Sequence, residues 1–134
     1  HWQDELKNAY AVINCIGILF EQKSRGITYK KFIFESTQQI AQAAHVHDVT
    51  HFVQLSAIKP PFFILKKYHF YKLASEEFLQ SMPFNLCIIR PAVLVAPQKP
   101  FFLFLYRLQE LLHFPIKQFE SLENVAKQVL AFLK

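Results

Sequence analysis

The sequence predicts an α/β domain built on a parallel sheet, and three observations predict it. Short apolar, β-branched runs alternate with segments of helical period. The runs scarcely alternate apolar with polar, as expected of strands buried on both faces. The order strand, helix, strand, helix, strand, helix, helix requires right-handed crossovers between parallel strands. The elements follow in turn. Asp4 to Asn8 reads as the end of a helix, and Ala9 to Phe20 (AYAVINCIGILF) as the first buried strand. Gln22 to Gly26 is a loop. Thr28 is placed to cap a helix whose Ile33, Thr37, Ile40, Ala41 and Ala44 share one face. His51 to Ala57 is the second strand, and Ile58 to Leu65 a loop broken by Pro60 and Pro61. Tyr68 to Gln80 is helical, with Glu76 and Glu77 towards its end. Asn85 to Pro91 is a third strand that Pro91 ends. Phe101 to His113 reads as an apolar helix. Ser121 opens a last one, with Glu123 in its first turn and Val125, Val129 and Phe132 inward.

The 134 residues, 1–134, form one domain long enough for a real core. Hydrophobic residues make up 52% and the chain holds fifteen Phe, which calls for extensive burial or a large interface. The net charge is +5, but the cations sit in scattered doublets, Lys30-Lys31 and Lys66-Lys67. That reads as solvated surface, and no nucleic acid is expected as a partner. Cys15 and Cys87 lie inside apolar runs and on different strands. The two strands are separated by a third at about 4.8 Å per spacing, beyond disulfide reach, so buried free thiols are expected. No apolar run reaches the length of a membrane span. The first residues are polar and acidic, unlike a signal peptide, and the sequence opens on His1 rather than Met, which leaves room for chain upstream. His45, His47 and His51 lack a supporting carboxylate pair or Cys-x-x-Cys, so no metal is expected. The Phe-rich stretch Phe101 to Phe114 admits two readings, core or a face for a partner or membrane interface.

The chemistry concentrates in a Tyr-x-x-x-Lys spacing, Tyr68 and Lys72, twelve residues after Ser56. On a helix, positions i and i+4 share a face, so phenol and ammonium become neighbours. A cation beside a phenol favours the phenolate and is expected to lower the Tyr68 pKa. Such a tyrosine can exchange a proton with an alcohol or carbonyl while a nicotinamide exchanges hydride. Ser56, at the carboxyl end of a strand, would hold the same oxygen, and ligands of open α/β sheets sit there. The bland alternative is two residues on an amphipathic helix that share this spacing by chance. With only Gly17 and Gly26, the chain has no G-x-G-x-x-G turn to cradle a pyrophosphate.

Four blocks, Leu6–Leu19, Phe52–Ala57, Tyr68–Glu77 and Ile88–Pro91, with Ser121–Lys127 after them, resemble in order the carboxyl-terminal two-thirds of an atypical short-chain dehydrogenase/reductase. Two subgroups are most similar: the NAD(P)H-binding accessory subunit of mitochondrial complex I, and the reductase-like protein associated with ubiquinone biosynthesis. The resemblance implies a partial doubly wound, Rossmann-type sheet. It also implies catalytic Ser56, Tyr68 and Lys72. Asn14 and Gly17 would line the nicotinamide side of the cofactor crevice, with Tyr68 and Lys72, and Arg90 and Pro91 would shape the substrate side.

The departures are a missing first strand with its glycine turn, Ala92 where a glycine is common, and an abbreviated segment between Pro100 and Phe119. The expectation is therefore an accessory, reductase-like subunit on the matrix side of the mitochondrial inner membrane, in respiratory complex I. The chain alone would hold no cofactor, and NAD(P)H would bind once the missing N-terminal part is supplied. Other subunits would pack on the Tyr10–Leu19 edge and on Phe101–Phe114, with a possible contact to the membrane interface. The alternative is an NAD(P)H-dependent oxidoreductase linked to ubiquinone biosynthesis.

Overall fold

A computed structural model describes residues 1–59, 65–91, 93–95 and 119–134. They fall into two compact units, His1–Arg90 and Pro91–Phe132. The first unit carries strands β1 (Ala11–Asn14), β2 (His51–Leu55) and β3 (Asn85–Ile89), with helices α1 (Ser36–Val46) and α2 (Lys66–Gln80) between them. The strands are parallel in the order β1-β2-β3. Asn14 stands opposite Gln54, and Leu55 opposite Ile89. This is the α/β architecture with a parallel sheet that the alternation of runs predicts.

Burial follows the helical period. Ile33, Thr37, Ala41 and Ala44 are buried and Ile40 is half-buried, as the shared face requires. The Thr28 hydroxyl accepts the Lys31 N–H at 3.3 Å. The chain then runs through a π-helical stretch, Lys30–Glu35, before α1. The core gathers Ala41, Ala44, Val49, Phe52 and Leu79, with Val12, Phe78 and Phe84 packed against it. The Phe52 and Phe84 rings lie 5.2 Å apart. Each large apolar side chain buried here contributes about 1.5–3 kcal/mol.

Several expectations need correction. The first strand is four residues, not the whole run to Phe20. The cause is Asn14, whose Oδ1 accepts the Ile16 N–H at 3.1 Å and turns the chain out of the sheet. Cys15 therefore lies past β1 and is exposed rather than buried, while Cys87 on β3 is half-buried, and both thiols are free. Residues Trp2–Leu6 form a 3-10 turn, and Asn8 follows in the left-handed region at φ 63°.

The second unit holds β4 (Val93–Val95), β5 (Phe119–Ser121) and α3 (Leu122–Leu133), with β4 and β5 parallel. The sequence predicts neither of these short strands. In α3, Val125 is buried, Val129 and Phe132 are half-buried, and Glu123 stands in the first turn. The predicted helix from Phe101 to His113 lies outside the described residues. Among them, no helix is long and apolar enough to cross a membrane.

Candidate functional site

The site forms where β1 and β2 stop. Beyond Leu55 the chain continues one more ladder step, with the Ser56 N–H on the Ile89 carbonyl at 2.8 Å. Ser56 is 5% exposed, and its hydroxyl is buried with no hydrogen-bond partner among the described residues. A buried hydroxyl left unpaired carries a desolvation penalty that a ligand oxygen or amide would relieve.

Helix α2 brings Tyr68 and Lys72 to this end of the sheet. The Lys72 ammonium lies 5.9 Å from the centre of the Tyr68 ring. It donates to the Leu55 carbonyl at 2.9 Å and reaches the Ile16 carbonyl at 3.5 Å. The sheet's end explains both acceptors, since these carbonyls have run out of strand partners. Gly17 completes the slot: a Cβ there would stand 3.4 Å from the Lys72 Nζ. Lys72 is buried, and desolvation lowers its pKa to about 8 against the smaller opposing pulls of Cys15 and Glu76.

Tyr68 corrects an expectation. Its pKa is raised, first by burial and then by Tyr29, where the neighbouring cation is expected to lower it. The cation is itself penalised by burial and spends its protons on two carbonyls, so its pull does not outweigh the lost water.

The remaining predicted residues stand as follows. Asn14 donates to Thr37 Oγ1 at 3.1 Å and to Gln54 Oε1 at 2.9 Å, so both its N–H groups are engaged inside the protein. Arg90 pairs through Nε and Nη2 with Glu76, which is 4% exposed, and ties the end of β3 to α2. Arg90 closes the first unit and Pro91, buried, opens the second. Sequence reasoning missed Gln54, which is fully buried and links Asn14 to the carbonyl that Lys72 holds, with its Nε2 on Leu55 at 3.3 Å. The signal was a lone amide inside an apolar strand. It also missed Tyr29, whose ring meets Tyr68 edge-on at 5.7 Å.

A separate open groove of about 430 Å³ lies between the end of α2 and β3, lined by Leu79, Met82, Leu86 and Arg90 among others. It includes none of Ser56, Tyr68 and Lys72. Among the described residues, no three His, Cys, Asp or Glu side chains gather as a metal site. For a nicotinamide dinucleotide the fit divides. The Ser56 hydroxyl, unpaired among the described residues, and the Lys72 amine suit its reacting end. Among the described residues, positive φ occurs at Asn8 and Asp48, each just ahead of a strand, and at Gly26 in the Gln22–Ile27 turn. None makes a phosphate cradle at the carboxyl ends of the strands.

No family model matches the chain, and no curated protein matches it. Among solved structures it is similar to MoeE5 in complex with UDP-glucuronic acid and NAD, at 20% identity and TM-score 0.59 over 73% of this chain and 40% of that one. It is also similar to MoeE5 in complex with UDP-glucose and NAD, at 19% identity and TM-score 0.61 over 79% of this chain and 42% of that one. At this identity the likeness speaks to the fold, which is of the Rossmann type. The chain spans about 40% of the length of these structures.

Proposed function

We propose that this chain is an accessory, reductase-like member of a larger assembly, with the mitochondrial respiratory complex I as host. The observation that carries the reading is the apolar edge of the sheet. Among the described residues β1 pairs with β2 alone. Ile13 on β1 and Tyr10 just before it are exposed, as are Ile16, Leu19 and Phe20 in the loop that follows, and no charge or proline interrupts residues 10 to 20. A bare apolar edge is an aggregation hazard that native proteins cover. The four sequence blocks fit this host and the ubiquinone-linked reductase alike, and Phe101–Phe114 is the second contact surface in this reading.

A second reading is favoured by Ser56. An NAD(P)H-dependent oxidoreductase linked to ubiquinone biosynthesis would use that unpaired hydroxyl to hold a carbonyl or alcohol oxygen. Tyr68 would then move the proton, and Lys72 would hold the cofactor's reacting end. The bound nicotinamide would supply hydride. This reading needs the phosphate cradle from chain beyond these residues.

Two measurements separate the readings. Tagged chain recovered from its native membranes should migrate in a high-mass complex, and Ile13→Lys should release it. Calorimetric titration of the 134-residue chain with NADPH should show no saturable micromolar binding. Such binding, with the chain migrating alone, overturns the accessory reading in favour of the enzyme.

A further inference from the structure

We infer that Tyr29 is a positioning residue for Tyr68, held over the phenol by a clasp through Glu21. The inference stands on the contacts of the loop after β1 and does not depend on the host complex. Tyr29 is 6% exposed. Its ring meets the Tyr68 ring edge-on, with centroids 5.7 Å apart and planes at 71°, a favoured aromatic geometry. Its hydroxyl donates to the Leu19 carbonyl at 2.8 Å, and its N–H donates to Glu21 Oε1 at 2.9 Å. Glu21 also takes Lys67 Nζ, at 3.0 Å to Oε2. Lys67 precedes Tyr68 in α2. The loop is thus stitched at one end to the start of the π-helical stretch and at the other to the first turn of α2, with the Tyr68 ring between.

The stitches matter because the loop has little packing of its own. Ile16, Leu19 and Phe20 are exposed. What keeps Tyr29 in place is the pair of hydrogen bonds and the Glu21–Lys67 ion pair. Among the described residues, the groups facing Tyr68 are Tyr29, just ahead of the π-helical stretch, and Lys72 from its own helix. Glu21 and Lys67 stand at the clasp, and Cys15 and Glu76 act on Lys72. Burial is the first cause of the raised Tyr68 pKa and Tyr29 the second. Opening the clasp rewets the phenol and removes both. The closed loop therefore keeps Tyr68 neutral, and the open loop returns it toward an ordinary phenol.

The test is an NMR pH titration of the full chain labelled at tyrosine Cζ, with Tyr68 assigned by Tyr68→Phe. Wild-type Tyr68 should titrate above a free phenol. Tyr29→Ala should move that titration down. Tyr29→Phe keeps the covering ring and the backbone bond to Glu21, so Tyr68 should titrate above its value in Tyr29→Ala, a rescue that general loosening would not give. Glu21→Ala removes the clasp while leaving both rings in place, and should shift Tyr68 downward too. A Tyr68 titration unchanged from wild type in Tyr29→Ala overturns the inference. Where that variant does not fold, an unchanged titration in Glu21→Ala overturns it.

Discussion

Removing Lys72 tests the site through stability. The Lys72 amine has its pKa lowered from 10.5 to about 8 in the folded chain, mainly by burial. A base with a lowered folded pKa works against folding at low pH. Between pH 8 and 10.5 the unfolded chain still holds a proton that the folded chain has lost, so stability rises with pH across that window. At about 1.4 kcal/mol per pH unit, the gap of about 2.5 corresponds to roughly 3–4 kcal/mol. Most of it appears between pH 8 and 10. Lys72→Met removes the ammonium from the Ile16 carbonyl and leaves the Leu55 carbonyl with Gln54 alone, which costs about 1–3 kcal/mol at all pH values. The slope with pH, not the absolute stability, is therefore the clean readout. Urea unfolding at pH 7, 8, 9 and 10 should show wild type gaining about 2 kcal/mol relative to Lys72→Met. The scan stops at pH 10 because the raised pKa of Tyr68 pulls the other way above it. Parallel pH profiles for the two proteins would refute the buried, partly neutral amine.

Two further outcomes are expected. Phe52→Ala, at the fully buried centre of the first unit, should cost about 3–5 kcal/mol in urea unfolding, and a loss under about 1 kcal/mol would contradict the core assignment. Native alkylation with a maleimide, read by mass after proteolysis, should modify exposed Cys15 faster than half-buried Cys87, and equal rates would place Cys15 back inside the strand.

How much was legible in the sequence depends on the range of the cause. The order of β1, α1, β2, α2 and β3 follows from local pattern, because strands buried on both faces and a helical face at i, i+4, i+7 leave their mark in every few residues. The end of β1 depends on one side chain, Asn14, reaching its own backbone, and an apolar run conceals that. Strands β4 and β5 are three residues each and pair across a long stretch of chain, so no local period announces them. At the site, the Tyr68–Lys72 spacing shows directly in the sequence, and so does Ser56 closing its strand. The sign of the Tyr68 shift does not, because burial and a ring from distant Tyr29 set it. Gln54 shows as a lone amide, but only the register of β1 on β2 reveals that it meets Asn14.

The measurement that bears most directly on the accessory reading is hydrogen exchange across Tyr10–Leu19, in the free chain and in its native assembly. In a strand, alternate backbone groups face away from the paired neighbour, so those of β1 not held by β2 should exchange fast when the chain is alone. Burial of the edge by another polypeptide predicts strong protection of the same peptides in the assembly. Equal protection in both states, with the free chain a stable monomer, would contradict it.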